Sequence, residues 1–113
     1  MKQAPKHEIE GTSFSGLTFQ ATPAELRMIF GEPAWETNNR GEKTNIYWVM
    51  QTESGRIFTV YDWKEYRRIG EDETITWHIG TRGSGAANQA LEEIQTGLDS
   101  IRNIEWIETG GGS

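Results

Sequence analysis

Two stretches of this 113-residue chain carry side chains suited to holding a ring-bearing anion. The first is Trp63-Lys64-Glu65-Tyr66-Arg67-Arg68, where aromatic and cationic residues interleave. An aromatic face stacks on a base and an Arg fork grips phosphate, so such a run addresses both halves of a nucleotide. The second is His78-Ile79-Gly80-Thr81-Arg82-Gly83-Ser84-Gly85, a glycine-rich run that opens a helical pattern. Successive glycines bring backbone amides close to an anion, and the free amides of a helix start favour negative charge. The expected ligand-contacting set is therefore Trp63, Tyr66, Arg67, Arg68, His78, Thr81, Arg82 and Ser84. In it Arg67, Arg68, Arg82 and the loop amides hold phosphate, while Trp63 and Tyr66 stack. Each stretch also has a plainer reading. The first is then a solvated strand end pairing its charges with Glu71, Asp72 and Glu73, and the second a flexible connection between strand and helix.

The specific fingerprints of nucleotide enzymes are missing. The glycine run has neither the spacing nor the lysine of a phosphate-binding P-loop, and it lacks the GxGxxG pattern. His78 is a possible base or anion ligand, but no nucleophile elbow, cysteine or neighbouring histidine accompanies it, and a hydrogen-bonded structural histidine is the simpler reading. His7 stands alone near the N-terminus, with no second ligand at metal-binding spacing. No catalytic residue, metal site or cofactor is expected, and the chain reads as a non-enzyme. A formal net charge of −6 argues against binding duplex nucleic acid, which requires a basic surface. The absence of cysteine fits a reducing compartment, and no stretch has the length of a membrane span or the apolar segment of a signal peptide, so a cytoplasmic protein is expected.

The elements that must position these residues follow from periodicity. Asn45 to Thr52, Ile57 to Trp63 and Thr74 to Ile79 read as three consecutive antiparallel strands. Glu53-Ser54-Gly55-Arg56 reads as a hairpin whose two-residue loop, Ser54-Gly55, places Glu53 opposite Arg56. In that register one face carries Ile46, Trp48, Met50, Ile57, Thr59, Tyr61 and Trp63, and the other Tyr47, Val49, Phe58 and Val60 with Gln51 and Asp62. Both faces are apolar, so each needs a cover: helices, a second subunit or a ligand. The third strand sets Ile75, Trp77 and Ile79 against Thr74, Thr76 and His78.

Before this meander, Phe14, Leu17 and Phe19 suggest a strand that Gly16 bends or bulges. Thr22-Pro23-Ala24-Glu25 combines an N-cap threonine, proline at the first helical position and a capping-box glutamate, and Gly31 and Pro33 end the short helix. Trp35 to Lys43 reads as a polar loop with a turn at Asn38-Asn39-Arg40-Gly41. Ala87, Ala90, Leu91, Ile94, Leu98 and Ile101 form one stripe of a second helix, which Gly97 weakens. Ile104, Trp106 and Ile107 suggest a last edge strand. The fold class is α+β: an antiparallel meander of three to five strands with a short N-terminal and a longer C-terminal helix packed on it. Residues 1–12 read as a mobile arm or edge extension, 13–109 as one domain and 110–113 as a flexible tail.

Val60-Tyr61-Asp62-Trp63-Lys64-Glu65-Tyr66-Arg67 followed by Trp77-His78-Ile79-Gly80 resembles a pattern in small uncharacterised bacteriophage-encoded proteins. Thr81 stands where those proteins commonly carry a second glycine. The resemblance implies a phage accessory protein acting in the bacterial host cytoplasm, and supplies no catalytic residue. Small phage proteins of this kind often counter host defence, which favours a binder over an enzyme. The leading expectation is a non-enzymatic anti-defence protein that sequesters a small anionic, nucleotide-type signal at or near the interface of a homo-oligomer. The alternative is an acidic inhibitor that contacts a host defence or nucleic-acid-binding protein through Glu71 to Glu73, Glu92, Glu93 and Asp99. A small hydrolase using His78 ranks third.

Overall fold

The computed structural model describes residues 1–37, 44–83 and 85–110, so Ser84, the expected turn at 38–41 and the last tail residues lie outside the described residues. The strands are β1 (Lys2–Gln3), β2 (Ser13–Ala21), β3 (Trp35–Glu36), β4 (Ile46–Gln51), β5 (Ile57–Tyr61) and β6 (Ile75–Thr81), and the helices α1 (Pro23–Phe30) and α2 (Ala86–Gly110). The sheet order is β1-β4-β5-β6-β2, with β3 also pairing β4, and every pairing is antiparallel. This is the expected α+β architecture. The residues from Ile104 onward continue α2 instead of forming an edge strand, and Gly97 does not end it. Helical hydrogen bonding carries the chain through both positions.

The hairpin differs from expectation by one residue, with large consequences. Tyr47 pairs Tyr61, Trp48 pairs Val60 and Met50 pairs Phe58, which places Thr52 opposite Arg56. The loop is thus Glu53-Ser54-Gly55, closed by Thr52 N–H to Arg56 O at 2.8 Å and Gly55 N–H to Thr52 O at 2.9 Å, with Gly55 at φ 88°. Because side chains alternate, a one-residue slip moves a whole strand's set to the other face. The observed register groups Ile46, Trp48, Met50, Phe58 and Val60 with Ile75, Trp77 and Ile79 on a single, largely apolar face that also takes Thr81. The other face carries Tyr47, Val49, Thr59, Tyr61 and His78.

Both helices cover the apolar face. Leu26 and Phe30 from α1, and Ala87, Ala90, Ile94 and Leu98 from α2, join the sheet residues in one buried cluster. Trp48 and Trp77 are its largest fully buried members. Each indole N–H also reaches a carbonyl at one end of α1: Trp77 donates to Ala21 O at 2.9 Å, just before the N-cap, and Trp48 donates to Gly31 O at 2.8 Å, at the C-cap. The two rings therefore bury area and satisfy carbonyls that flank α1 at the same time. Thr22 accepts from Glu25 N at 3.1 Å while Glu25 Oε1 accepts from Thr22 N at 2.9 Å, completing the capping box.

The N-terminal segment crosses to the opposite face. Lys2–Gln3 extend the β4 edge, Ala4 N–H donates to Val49 O at 2.9 Å, and a 3-10 turn at Lys6–Ile9 lies against β4 and β5. A loop whose closure needs the positive φ of Gly55 should resist a side chain there. Gly55→Ala is expected to lower the urea-unfolding free energy by about 1 kcal/mol, and Gly55→Asn by less, because asparagine tolerates this conformation. Equal stability of all three proteins would contradict the three-residue turn.

Candidate functional site: an aromatic hollow on the open sheet face

The face away from the helices carries a run of rings. Trp35 stacks on Tyr47 (centroids 5.6 Å, 26° between planes), and Tyr61 stacks on His78 (5.7 Å, 21°). Trp63 meets Tyr61 edge-on at 6.3 Å, and Phe14 lies against His78 at 4.9 Å. Neighbouring strands deliver these rings because Tyr47, Tyr61 and His78 occupy successive register positions across β4, β5 and β6. Phe14 arrives through the irregularity in β2, where Gly16 adopts φ 94° and the pairing with β6 shifts between Phe14 and Thr18.

Two cavities open among the rings. One of about 300 Å³ is lined by Ile9, Thr12, Ser13, Thr44, Tyr47, Thr59, Tyr61, Trp63 and Gly80. The other, about 340 Å³, is lined by Phe14, Tyr61, Trp63 and His78. Gly80 forms part of the first cavity's floor: a Cβ there would stand 2.5 Å from Thr59 Oγ1, 3.3 Å from Ser13 O and 3.4 Å from the Tyr61 ring. Hydroxyls and aromatic rings dominate, and no Lys, Arg, Asp or Glu is among these lining residues. Burial pushes the Tyr61 phenol up, so its hydroxyl stays protonated.

Buried Asp62 aims the segment that follows β5. Its carboxylate accepts from Asn45 N at 2.7 Å, Ile46 N at 2.9 Å and Asn45 Nδ2 at 3.0 Å, and Asn45 Nδ2 also donates to Arg67 O at 3.2 Å. The strand ends at Tyr61, and the expected extension to Trp63 gives way to an irregular turn with positive φ at Lys64 (57°) and Tyr66 (52°). Such conformations cost a non-glycine residue about 1 kcal/mol or more, which the buried carboxylate's bonds offset.

The expected site residues divide accordingly. Trp63 and His78 share the second cavity. Tyr66, in the turn after Trp63, is exposed and lines neither cavity. Arg67 is occupied by Glu73 and Glu65, and the Glu73 carboxyl is held below its ordinary range chiefly by that bond. Arg68 is exposed, and its carbonyl accepts from Arg67 Nη1 at 3.4 Å. Arg82 fastens the N-terminal segment: Nε donates to Glu10 O at 2.8 Å, and Nη2 to Glu8 O and, at 2.8 Å, to Glu8 Oε2. Thr81 is buried on the helix side and donates to Gly83 O at 3.2 Å.

The arginines of the first stretch and the glycine-rich loop of the second lie toward opposite ends of β5, although Trp63 and His78, one from each stretch, line the same cavity. Tyr61, just before the aromatic and cationic turn, pairs His78, whereas Thr81, at the glycine-rich loop, pairs Phe58 near the start of β5. An antiparallel strand carries the chain away from one as it approaches the other, so nearness in sequence does not become nearness in space. Tyr47, Thr59 and Phe14 are cavity-lining residues that sequence reasoning does not single out, and Gly80 lines the first cavity instead of serving only as part of an anion loop. The available signal is the register that gathers most of the large aliphatics on one face and leaves the tyrosines on the other.

The buried Nδ1 of His78 has no hydrogen-bond partner among the described residues. Among those residues no group of three His, Asp or Glu side chains could hold a metal ion, and no helix is long and apolar enough to cross a membrane. Comparison with protein-family models, curated proteins and solved structures gives no match.

Two outcomes follow from this geometry. Gly80→Ala should destabilise by about 1–3 kcal/mol through overpacking, and Thr59→Ala in the same chain should recover at least half, read by a double-mutant cycle in urea. Additive losses would contradict the close approach. Burial lowers the His78 pKa from 6.5, with Asp62 and Glu65 opposing. The folded value lies below the unfolded one, so the contribution of the neutral ring is complete above the unfolded value and is lost as pH falls from there through the folded value. His78→Phe should therefore lose less stability than wild type between pH 7.5 and 5.5, and equal losses would contradict a desolvated imidazole.

Proposed function

We propose that this chain is a non-enzymatic binding protein that sequesters a small nucleotide-type ligand by its ring. The observation that carries this reading is the uncharged hollow beside Tyr61, where an indole, phenols and a neutral imidazole surround hydroxyl-lined space. Base stacking on aromatic side chains contributes about 1–3 kcal/mol per base, enough for recognition without a phosphate clamp. Thr12, Ser13, Thr44 and Thr59 offer donors and acceptors to a base edge. Any phosphate then lies at the rim, where the Lys64 ammonium stands 5.7 Å from the Trp63 ring centroid. This differs from the phosphate-led grip expected from the arginines, since Arg67 and Arg82 are already engaged with carboxylates. In the phage setting that the sequence resemblance implies, such a protein acts in the host cytoplasm as a sink for a defence signal.

The acidic protein-contact reading has less support. Glu71 pairs Arg27, Glu73 pairs Arg67, and Glu93 faces the N-terminal ammonium at 3.2 Å, so much of the negative surface is balanced internally. Calorimetry with a panel of nucleosides and cyclic and linear nucleotides tests the binding reading. Tyr61→Ala is expected to weaken binding about tenfold, the loss of one stacking face, while Arg67→Ala and Arg68→Ala change it less than about threefold. Arginine variants that abolish binding while Tyr61→Ala leaves it intact would contradict the ring-led site, and no heat with any ligand at millimolar concentration would remove the reading.

A further inference from the structure

The hollow is double. Tyr61 and Trp63 wall both cavities, with Tyr47, Thr59 and Gly80 completing one and Phe14 and His78 the other. Each has a volume near the lower end of small-molecule sites, about 300–1,000 Å³, and the pair falls within that range. Each also presents aromatic walls to a planar group. From this juxtaposition we infer that the ligand carries two planar rings joined by a short linker, one seated in each cavity. A dinucleotide with few charges per ring is the chemical class that fits.

The electrostatics select within that class. Cavity linings without a formal charge give no compensation for a triphosphate, and the net charge of −6 opposes a multiply charged anion. A dinucleotide with a single bridging phosphate delivers two bases for one negative charge. Once its first base is seated, the second binds intramolecularly, so linkage raises affinity well beyond that of either base alone. The two ends differ in character. The Thr12, Ser13, Thr44 and Thr59 side can hydrogen-bond a base edge, whereas the Phe14 and His78 side is more apolar and offers mainly ring faces.

This inference rests on the ring-led site proposed above, and the experiment separates the two. Calorimetry of the full chain compares the four homodinucleoside monophosphates, with A, C, G or U as base, against the matching 5′-mononucleotides as their methyl phosphodiesters, which carry the same single charge. The inference expects at least one dinucleoside monophosphate to bind one per chain, tenfold or more tighter than its mononucleotide. Phe14→Ala, a change at a ring that lines only the second cavity, should reduce that advantage to less than threefold. Equal affinity for the one-ring and two-ring ligands would overturn the two-ring inference and leave the single-base site standing. Two mononucleotides per chain with no gain on linkage would also overturn it, because the subsites would then be unbridgeable. No binding by any of the eight compounds would overturn both. Circular dichroism of Phe14→Ala, and recovery of the advantage by Phe14→Tyr, guard against misreading an unfolded variant.

Discussion

Register between β4 and β5 is the constraint on which the rest of this molecule depends. With Thr52 opposite Arg56, most of the large aliphatics and two of the tryptophans fall on one face, and Tyr47, Tyr61, Thr59 and His78 fall on the other. A slip of one residue would mix the sets, leaving Phe58 and Val60 in the hollow and Tyr61 among the aliphatics beneath the helices. Burial of the aliphatic set favours the observed arrangement by about 1.5–3 kcal/mol for each large side chain that would otherwise face solvent. The three-residue turn with Gly55 at positive φ is the local geometry compatible with that preference. Local turn chemistry and global burial thus specify the same pairing.

From this sorting comes a division of labour. The helix face supplies stability, and its two indole bonds to the ends of α1 fix where that helix sits. The open face supplies shape. Its rings remain partly accessible because the 3-10 turn at Lys6–Ile9 covers only part of it, and the Arg82 contacts with Glu8 and Glu10 hold that cover in place. Asp62 links the two sides: a carboxylate buried at the end of β5 takes up backbone donors at the start of β4 and steadies the turn that carries Trp63. The charged residues that attract notice in the sequence serve largely to assemble this frame.

Much of the architecture is legible in the amino-acid sequence. The capping box at Thr22, the proline and glycine that bound α1, the three long strands and the alternation of Ile75, Trp77 and Ile79 all follow from short-range rules, and the fold obeys them. The hairpin is harder to read because Ser54-Gly55 satisfies a two-residue turn as well as it satisfies part of a three-residue one. Only the demand for a single unbroken apolar face distinguishes the two. The end of α2 misleads because Ile104, Trp106 and Ile107 suit a strand locally, whereas continuation of an existing helix needs no new nucleus. The site is the least legible part. Arg67 and Arg82 look like ligand groups until their carboxylate partners are placed, and Gly80 looks like part of an anion loop until Thr59 and Tyr61 are seen beside it. These facts depend on contacts between residues far apart in sequence.

On the proposed reading the open aromatic face receives the ligand, and neither the arginines nor the glycine-rich helix start does. Methyl-resolved NMR tests this most directly, because a stacked base shifts nearby methyl groups through its ring current. Titration with a bound nucleotide-type ligand should move the methyl signals of Thr12, Thr44, Thr59 and Ile9 while those of Ile94 and Leu98 beneath α2 stay fixed. Shifts concentrated in Ala86 and Ala87 at the start of α2, with the threonine methyls unmoved, would contradict it.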